Sequence, residues 1–160
     1  EVYVATLMPN HFHLLVRQLT DNGVSRFMQR CCNSFSHSFN LIYDRKGSLF
    51  MGPFRAVPVL EDEQLFHLFV YIHANPLDLV LPQWREGGVK NWLNAKNFLK
   101  SYRFSSLGLY QPGFEVAEDI KTLVNPKPFQ KFLSEWDGIE KGIKSWSGRN
   151  FEEIQEITLE

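Results

Sequence analysis

Cysteine is scarce in this chain of 160 residues, where only Cys31 and Cys32 carry thiols. They are adjacent within a stretch of helical spacing, where neighbouring side chains diverge. A strain-free disulfide between them is therefore excluded, and a reducing, cytoplasmic setting is expected. A surplus of charge is missing too. The formal net charge of −1 excludes a protein held on nucleic acid by bulk positive charge, so any polyanion contact must come from a local basic patch. Long apolar runs are also absent. No stretch approaches the ~20 residues that span a bilayer, and no membrane partner is expected.

What is present is 44% hydrophobic residues in a chain of domain size, enough to bury a core without disulfides or a structural metal. Residues 2–8 and 11–17 read as two strands around the turn signal Pro9-Asn10, together a hairpin. Since residues 2–7 already read as mid-sheet strand directly after Glu1, further residues upstream are expected. After Thr20-Asp21-Asn22-Gly23, the spacing of Phe27, Met28, Cys31, Phe35, Ser38, Phe39 and Ile42 predicts a long amphipathic helix over 24–43. The charged loop that follows contains Gly47, suited to ending that helix.

Residues 54–60 predict a strand, with Pro58 placing it at an edge or a bulge. A second helix is expected over 62–74. It starts on Glu61-Asp62-Glu63 and stops at Asn75-Pro76, because the residue before proline is biased out of the helical region. Leu65, Leu68, Phe69 and Ile72 form its expected buried stripe. Residues 92–99 predict a short helix. Gln111-Pro112-Gly113 marks a boundary between a core, 1–111, and a C-terminal helical appendage, 112–160, with Phe129, Phe132, Leu133 and Trp136 spaced as a helix over 129–136 and an amphipathic tail over 151–157.

Two groups of residues carry chemistry. Successive strand side chains point to opposite faces, so His11 and His13 project to one side and Phe12 to the other. Paired neutral imidazoles bind a divalent metal, but a tight site needs a third ligand from elsewhere. On the second helix, Gln64, His67, Tyr71 and Asn75 recur at three- and four-residue spacing as one polar stripe, while His73 falls between the stripes and is assigned to packing or capping. A tyrosine in such a stripe can attack phosphorus and form a covalent phosphotyrosine that conserves the bond for rejoining. Its phenol has an ordinary pKa near 10, so a phosphodiester at this site calls for Lewis-acid help.

Four segments in order carry a family resemblance. Leu7-Met8-Pro9-Asn10-His11-Phe12-His13-Leu14-Leu15-Val16 resembles the metal-binding strand of the HUH tyrosine transposases, especially those associated with repetitive extragenic palindromes. Gly47-Ser48-Leu49-Phe50-Met51-Gly52-Pro53-Phe54-Arg55-Ala56 resembles that family's glycine-aromatic loop. Tyr71-Ile72-His73-Ala74-Asn75-Pro76 resembles its catalytic helix, and Tyr102-Arg103-Phe104-Ser105-Ser106 the segment that follows. The resemblance covers roughly residues 1–110. It implies an α+β, ferredoxin-like antiparallel sheet with helices packed on it, placing the His pair opposite Tyr71, with Asn75 as third ligand for Mg²⁺ or Mn²⁺. It also implies recognition of a DNA hairpin and cutting of the adjacent single strand, leaving a 5′-phosphotyrosine and a free 3′-hydroxyl, in a nucleoid-associated prokaryotic protein.

The sequence departs from the family at several points. The strand and helix that open the fold are missing before Val2, which implies residues upstream, or a homodimer or second chain completing the sheet. Met51 stands where glutamine is common, and Pro53 where arginine is. Arg26, Arg30, Arg45, Lys46, Arg55 and Arg103 are the candidate DNA-binding cations, with Phe50 and Phe54 as stacking partners for unpaired bases. The leading expectation is a metal-dependent single-strand DNA transposase or endonuclease with Tyr71 as nucleophile. Its rivals are a decayed or domesticated binder of DNA hairpins, and a hydrolase in which His11 and His13 activate water while Tyr71 is structural.

Overall fold

Proline pre-sets φ for the second position of a tight turn. Met8-Pro9-Asn10-His11 closes one, the Met8 amide donating to the His11 carbonyl at 2.8 Å. In the computed structural model, which describes residues 1–133 and 138–146, the flanking segments pair as the expected antiparallel hairpin. Strand β1 (Val2–Leu7) faces β2 (Phe12–Val16), with Thr6 opposite His13, Leu7 opposite Phe12 and an irregularity between Val2 and Val4. Among the described residues this pair is the whole sheet and seven α-helices accompany it, an α+β arrangement. The chain divides into two compact units, one of Glu1–Val16 with Val57–Glu160, the other Arg17–Ala56.

In the first unit, helix α2 (Asp62–Ala74) is the core element. It opens on Asp62 and Glu63, acids that suit the positive end of a helix dipole. From Leu68 to Ala74 every residue is buried, so the apolar face is wider than the expected stripe and takes in Phe66 and Val70 as well. Leu65, placed in that stripe, is only partly buried. The α-helix stops at Ala74 as expected, but not for the expected reason. Asn75 keeps helical angles, φ −49° and ψ −39°, and opens a 3₁₀ turn, Asn75–Leu79. Burial of Asn75, Pro76 and Leu77 overrides the pre-proline bias.

The strand expected over 54–60 does not form. A strand needs a ladder partner, and the outer edge of β1 is already taken: Leu7 N–H donates to the Phe104 carbonyl at 2.9 Å, Thr6 bridges to Ser105, and Asn125 N–H donates to the Val2 carbonyl at 2.9 Å. Residues 58–60 are tied to α2 instead. Gln64 donates through Nε2 to the Pro58 carbonyl at 3.3 Å and accepts from the Leu60 amide at 2.9 Å.

Four further helices follow: α3 (Trp84–Gly87), α4 (Trp92–Ser101), α5 (Glu118–Leu123) and α6 (Lys127–Leu133), with α4 matching the short helix expected over 92–99. Phe129 of α6 is buried and stacks on Phe69 at 5.4 Å between ring centroids. Helix α7 (Gly138–Trp146) approaches α2 so closely that a Cβ on Gly142 would lie 2.6 Å from a methyl of Val70. Residues 112–133 and 138–146 thus belong to the same compact unit as the hairpin. Trp136, with the end of the helix expected over 129–136, and the tail expected over 151–157 lie outside the described residues.

The second unit is built on α1 (Gly23–Ile42), close to the expected 24–43. Only Met28 of this helix is buried. Phe35, Phe39 and Tyr43 form a ladder of ring contacts at 6.0 and 4.4 Å, one turn apart. Gly47 does not end the helix. Asp44 makes the left-handed step at φ 46°, a conformation that Asp tolerates, and Gly47 takes φ 99° further on.

Candidate active site

The second strand begins at Phe12, which leaves His11 in the turn and His13 in the ladder. The two-residue offset still brings their rings together, 4.9 Å between centroids and edge to face. Asn10 Oδ1 lies 2.7 Å from His11 Nδ1. A carbonyl oxygen can only accept, so Nδ1 carries the proton and the lone pair of a neutral ring sits on Nε2. His13 is half-buried and its ring stands 5.6 Å from that of Tyr71, again edge to face. His11, His13 and Tyr71 therefore form one cluster, drawn from a hairpin and the helix packed on it.

The polar stripe of α2 divides in two. Its outer members have structural partners, Gln64 in the 58–60 segment and His67 with Glu63 at 3.5 Å. Its inner members are buried, Tyr71 at 3% and Asn75 at 1% exposure. The Asn75 oxygen accepts from the Arg85 guanidinium at 2.7 Å. Arg85 is anchored in turn by Asp78, its two terminal nitrogens meeting the two carboxylate oxygens at 2.8 and 2.7 Å. Trp84 Nε1 donates to the same carboxylate at 2.7 Å. The guanidinium lies over the rings of Tyr71 and Trp84, 5.5 and 5.2 Å from their centroids.

Asp78, Trp84 and Arg85 are absent from the sequence-derived candidates. Arg85 follows Asn75 by ten residues, and only the 3₁₀ turn between them brings the two side chains into register. No periodicity announces that return.

The segment Tyr102-Arg103-Phe104-Ser105-Ser106 clasps the site from behind. Tyr102 donates its hydroxyl to the Leu7 carbonyl at 2.7 Å, and Thr6 and Ser105 share a hydrogen bond at 3.1 Å. Ser106 joins β1 to α2: its oxygen accepts from the Ala5 amide at 3.0 Å and lies 2.8 Å from His73 Nε2. The other His73 nitrogen, Nδ1, donates to the Phe69 carbonyl at 3.0 Å, so Ser106 donates to Nε2 and the ring is neutral. Burial of His73 pushes its pKa down to about 3, opposed in part by the bond to Phe69. His73 is thus a packing residue, as its place between the stripes implies.

The candidate cations are divided between the two units. Arg26, Arg30, Arg45, Lys46 and Arg55 belong to the second unit and Arg103 to the first. Arg26 and Arg30 line an open groove along α1 with Phe27 and Phe35, Arg45 is engaged with Asn40, and Arg103 lies over the Phe104 ring at 5.7 Å.

As donors for a divalent cation, the two imidazoles fit. They are adjacent, and His11 presents Nε2. Asn75 fits poorly as the third ligand: one lone pair of its oxygen is held by a permanent cation whose charge opposes a second cation there, and its nitrogen can only donate. Among the described residues no group of three or more His, Cys, Asp or Glu is placed to hold a metal ion, and no helix is long and apolar enough to cross a membrane. No protein-family model, curated protein or solved structure matches the chain.

Proposed function

We propose that the chain is a metal-dependent, tyrosine-nucleophile enzyme that cuts and transfers single-stranded DNA beside hairpins, with a sheet of ferredoxin-like descent. The observation that carries this reading is the contact of His13 with Tyr71, which joins a metal-binding residue type to a nucleophile across two separate elements. His11 and His13 would hold Mg²⁺ or Mn²⁺. A cation there supplies charge neutralisation to the phosphodiester oxygens.

The protein's own part is positioning. The hairpin fixes the imidazoles, α2 fixes Tyr71, and the 102–106 segment locks one to the other through Ser106. Tyr71 Oη attacks phosphorus and forms the P–O bond of a 5′-phosphotyrosine. The bond from phosphorus to the 3′ oxygen breaks, that oxygen takes up a proton, and the phenolic proton, on a hydroxyl shielded from solvent, passes to water that enters with the strand. No net oxidation occurs, and reversal by another 3′-hydroxyl gives strand transfer.

The burial of Tyr71 and the hold of Arg85 on Asn75 favour one second reading, a binder of DNA hairpins that no longer cuts. One assay separates them. Denaturing electrophoresis after incubation with hairpin-bearing single strands and Mn²⁺ is expected to show a protein–DNA adduct that Tyr71→Phe abolishes. Adduct surviving Tyr71→Phe refutes the nucleophile assignment, and hairpin affinity with no adduct establishes the binder.

A further inference from the structure

The His pair has only two nitrogen donors, and the residue that the family resemblance assigns as third ligand is occupied. Four observations fix how. The Asn75 oxygen accepts from Arg85 at 2.7 Å. A guanidinium has donors and no acceptor, so the amide cannot be flipped in this contact: the oxygen must face Arg85. The guanidinium is itself held by both oxygens of Asp78, and its side chain is only 14% exposed. The Asn75 nitrogen is shielded from solvent and has no hydrogen-bond partner, so beside the oxygen shared with Arg85 this amide offers only N–H donors, which repel a cation.

We infer that Arg85 is a positioning residue that withholds Asn75 from the metal, leaving a centre of two histidines whose affinity for divalent cations it keeps low. The inference rests on reading His11 and His13 as a metal centre, and it departs from the third-ligand role that the resemblance implies. A cation on the other lone pair of the Asn75 oxygen would share that atom with Arg85 and sit beside its permanent charge. With Asn75 withheld, the remaining coordination positions go to water and to oxygens of the bound strand, a habit of Mg²⁺, which keeps several waters and uses few protein ligands.

Calorimetric titration of the full chain with Mn²⁺, without DNA, tests this. Wild type is expected to bind weakly, and His13→Ala to abolish binding. Asn75→Ala is expected to leave Kd within about twofold, whereas Arg85→Met, which frees the amide oxygen and removes a like charge, tightens it about tenfold. A purely structural Arg85 would not improve metal affinity when removed. Weakening by Asn75→Ala of about tenfold or more overturns the inference, as does an unchanged or weaker affinity in folded Arg85→Met, or a wild type that does not bind Mn²⁺. Where Arg85→Met does not fold, Arg85→Met combined with Asp78→Asn, which removes both charges of the partly buried pair, carries the same test. Loss of the Tyr71 adduct with this Mn²⁺ pattern intact removes the transferase reading and leaves the inference standing.

Discussion

His73 shows how one neutral side chain can join three elements. Its ring accepts from Ser106 and donates to Phe69, and Ser106 accepts from Ala5 of β1, so strand, helix and the 102–106 segment share one chain of hydrogen bonds. Holding that ring neutral has a pH consequence. Its folded pKa of about 3 lies below the value near 6.5 of an exposed ring, so the unfolded chain takes up the proton first. Stability from this residue is complete above the unfolded value and is lost as pH falls toward the folded one, at roughly 1.4 kcal/mol per pH unit. Between pH 6.5 and pH 5, wild type is expected to lose roughly 1–2 kcal/mol more than His73→Gln in urea unfolding. Equal losses in the two proteins would refute a neutral, buried His73.

Helix α2 and its neighbours show what local pattern can specify. Its acidic start and its length were legible, because capping preferences and the 3.6 period act within a few residues. The hairpin was legible for the same reason: Pro9-Asn10 is a local turn signal, and His-x-His spacing brings the rings together through the turn and the first rungs of the sheet. The expected strand over 54–60 was not, since its residues have strand character but pairing depends on tertiary competition: the 104–105 and 125 positions hold the outer edge of β1, and Gln64 draws 58–60 to α2 instead of to the edge of β2. Arg85 was hidden for a related reason, its contact with Asn75 depending on a 3₁₀ turn that the Asn75-Pro76 signal argues against. At this scale the contact between α7 and α2 yields a test. Gly142→Ala places a methyl 2.6 Å from Val70, and overpacking of this kind costs about 1–3 kcal/mol. Thermal unfolding should show a lowered midpoint, and Val70→Ala in the same chain should restore part of it. A midpoint unmoved by Gly142→Ala would mean that the helices separate without cost.

Over the whole molecule, burial is unevenly distributed between the two units. Helix α2 is enclosed from Leu68 to Ala74, while α1 buries Met28 alone over twenty residues. Local opening follows burial, so the backbone amides of α1 are expected to exchange with deuterium much faster than those of α2. Mass spectrometry of peptic fragments would detect this, and equal protection of the two helices would contradict it. The division also bears on the candidate cations, five of which lie in the less buried unit and Arg103 in the other.

The hairpin leaves its two imidazoles unequally braced. His13 is clamped by ladder bonds on a strand, whereas His11 rides on a turn and is steadied by a neighbouring amide. One ring is set by the pleat of a strand and the other by a two-residue turn that the Met8–His11 bond closes. The spacing of the imidazoles therefore depends on the Pro9-Asn10 turn as much as on the sheet, and a substitution in that turn would alter it with the strand pairing intact.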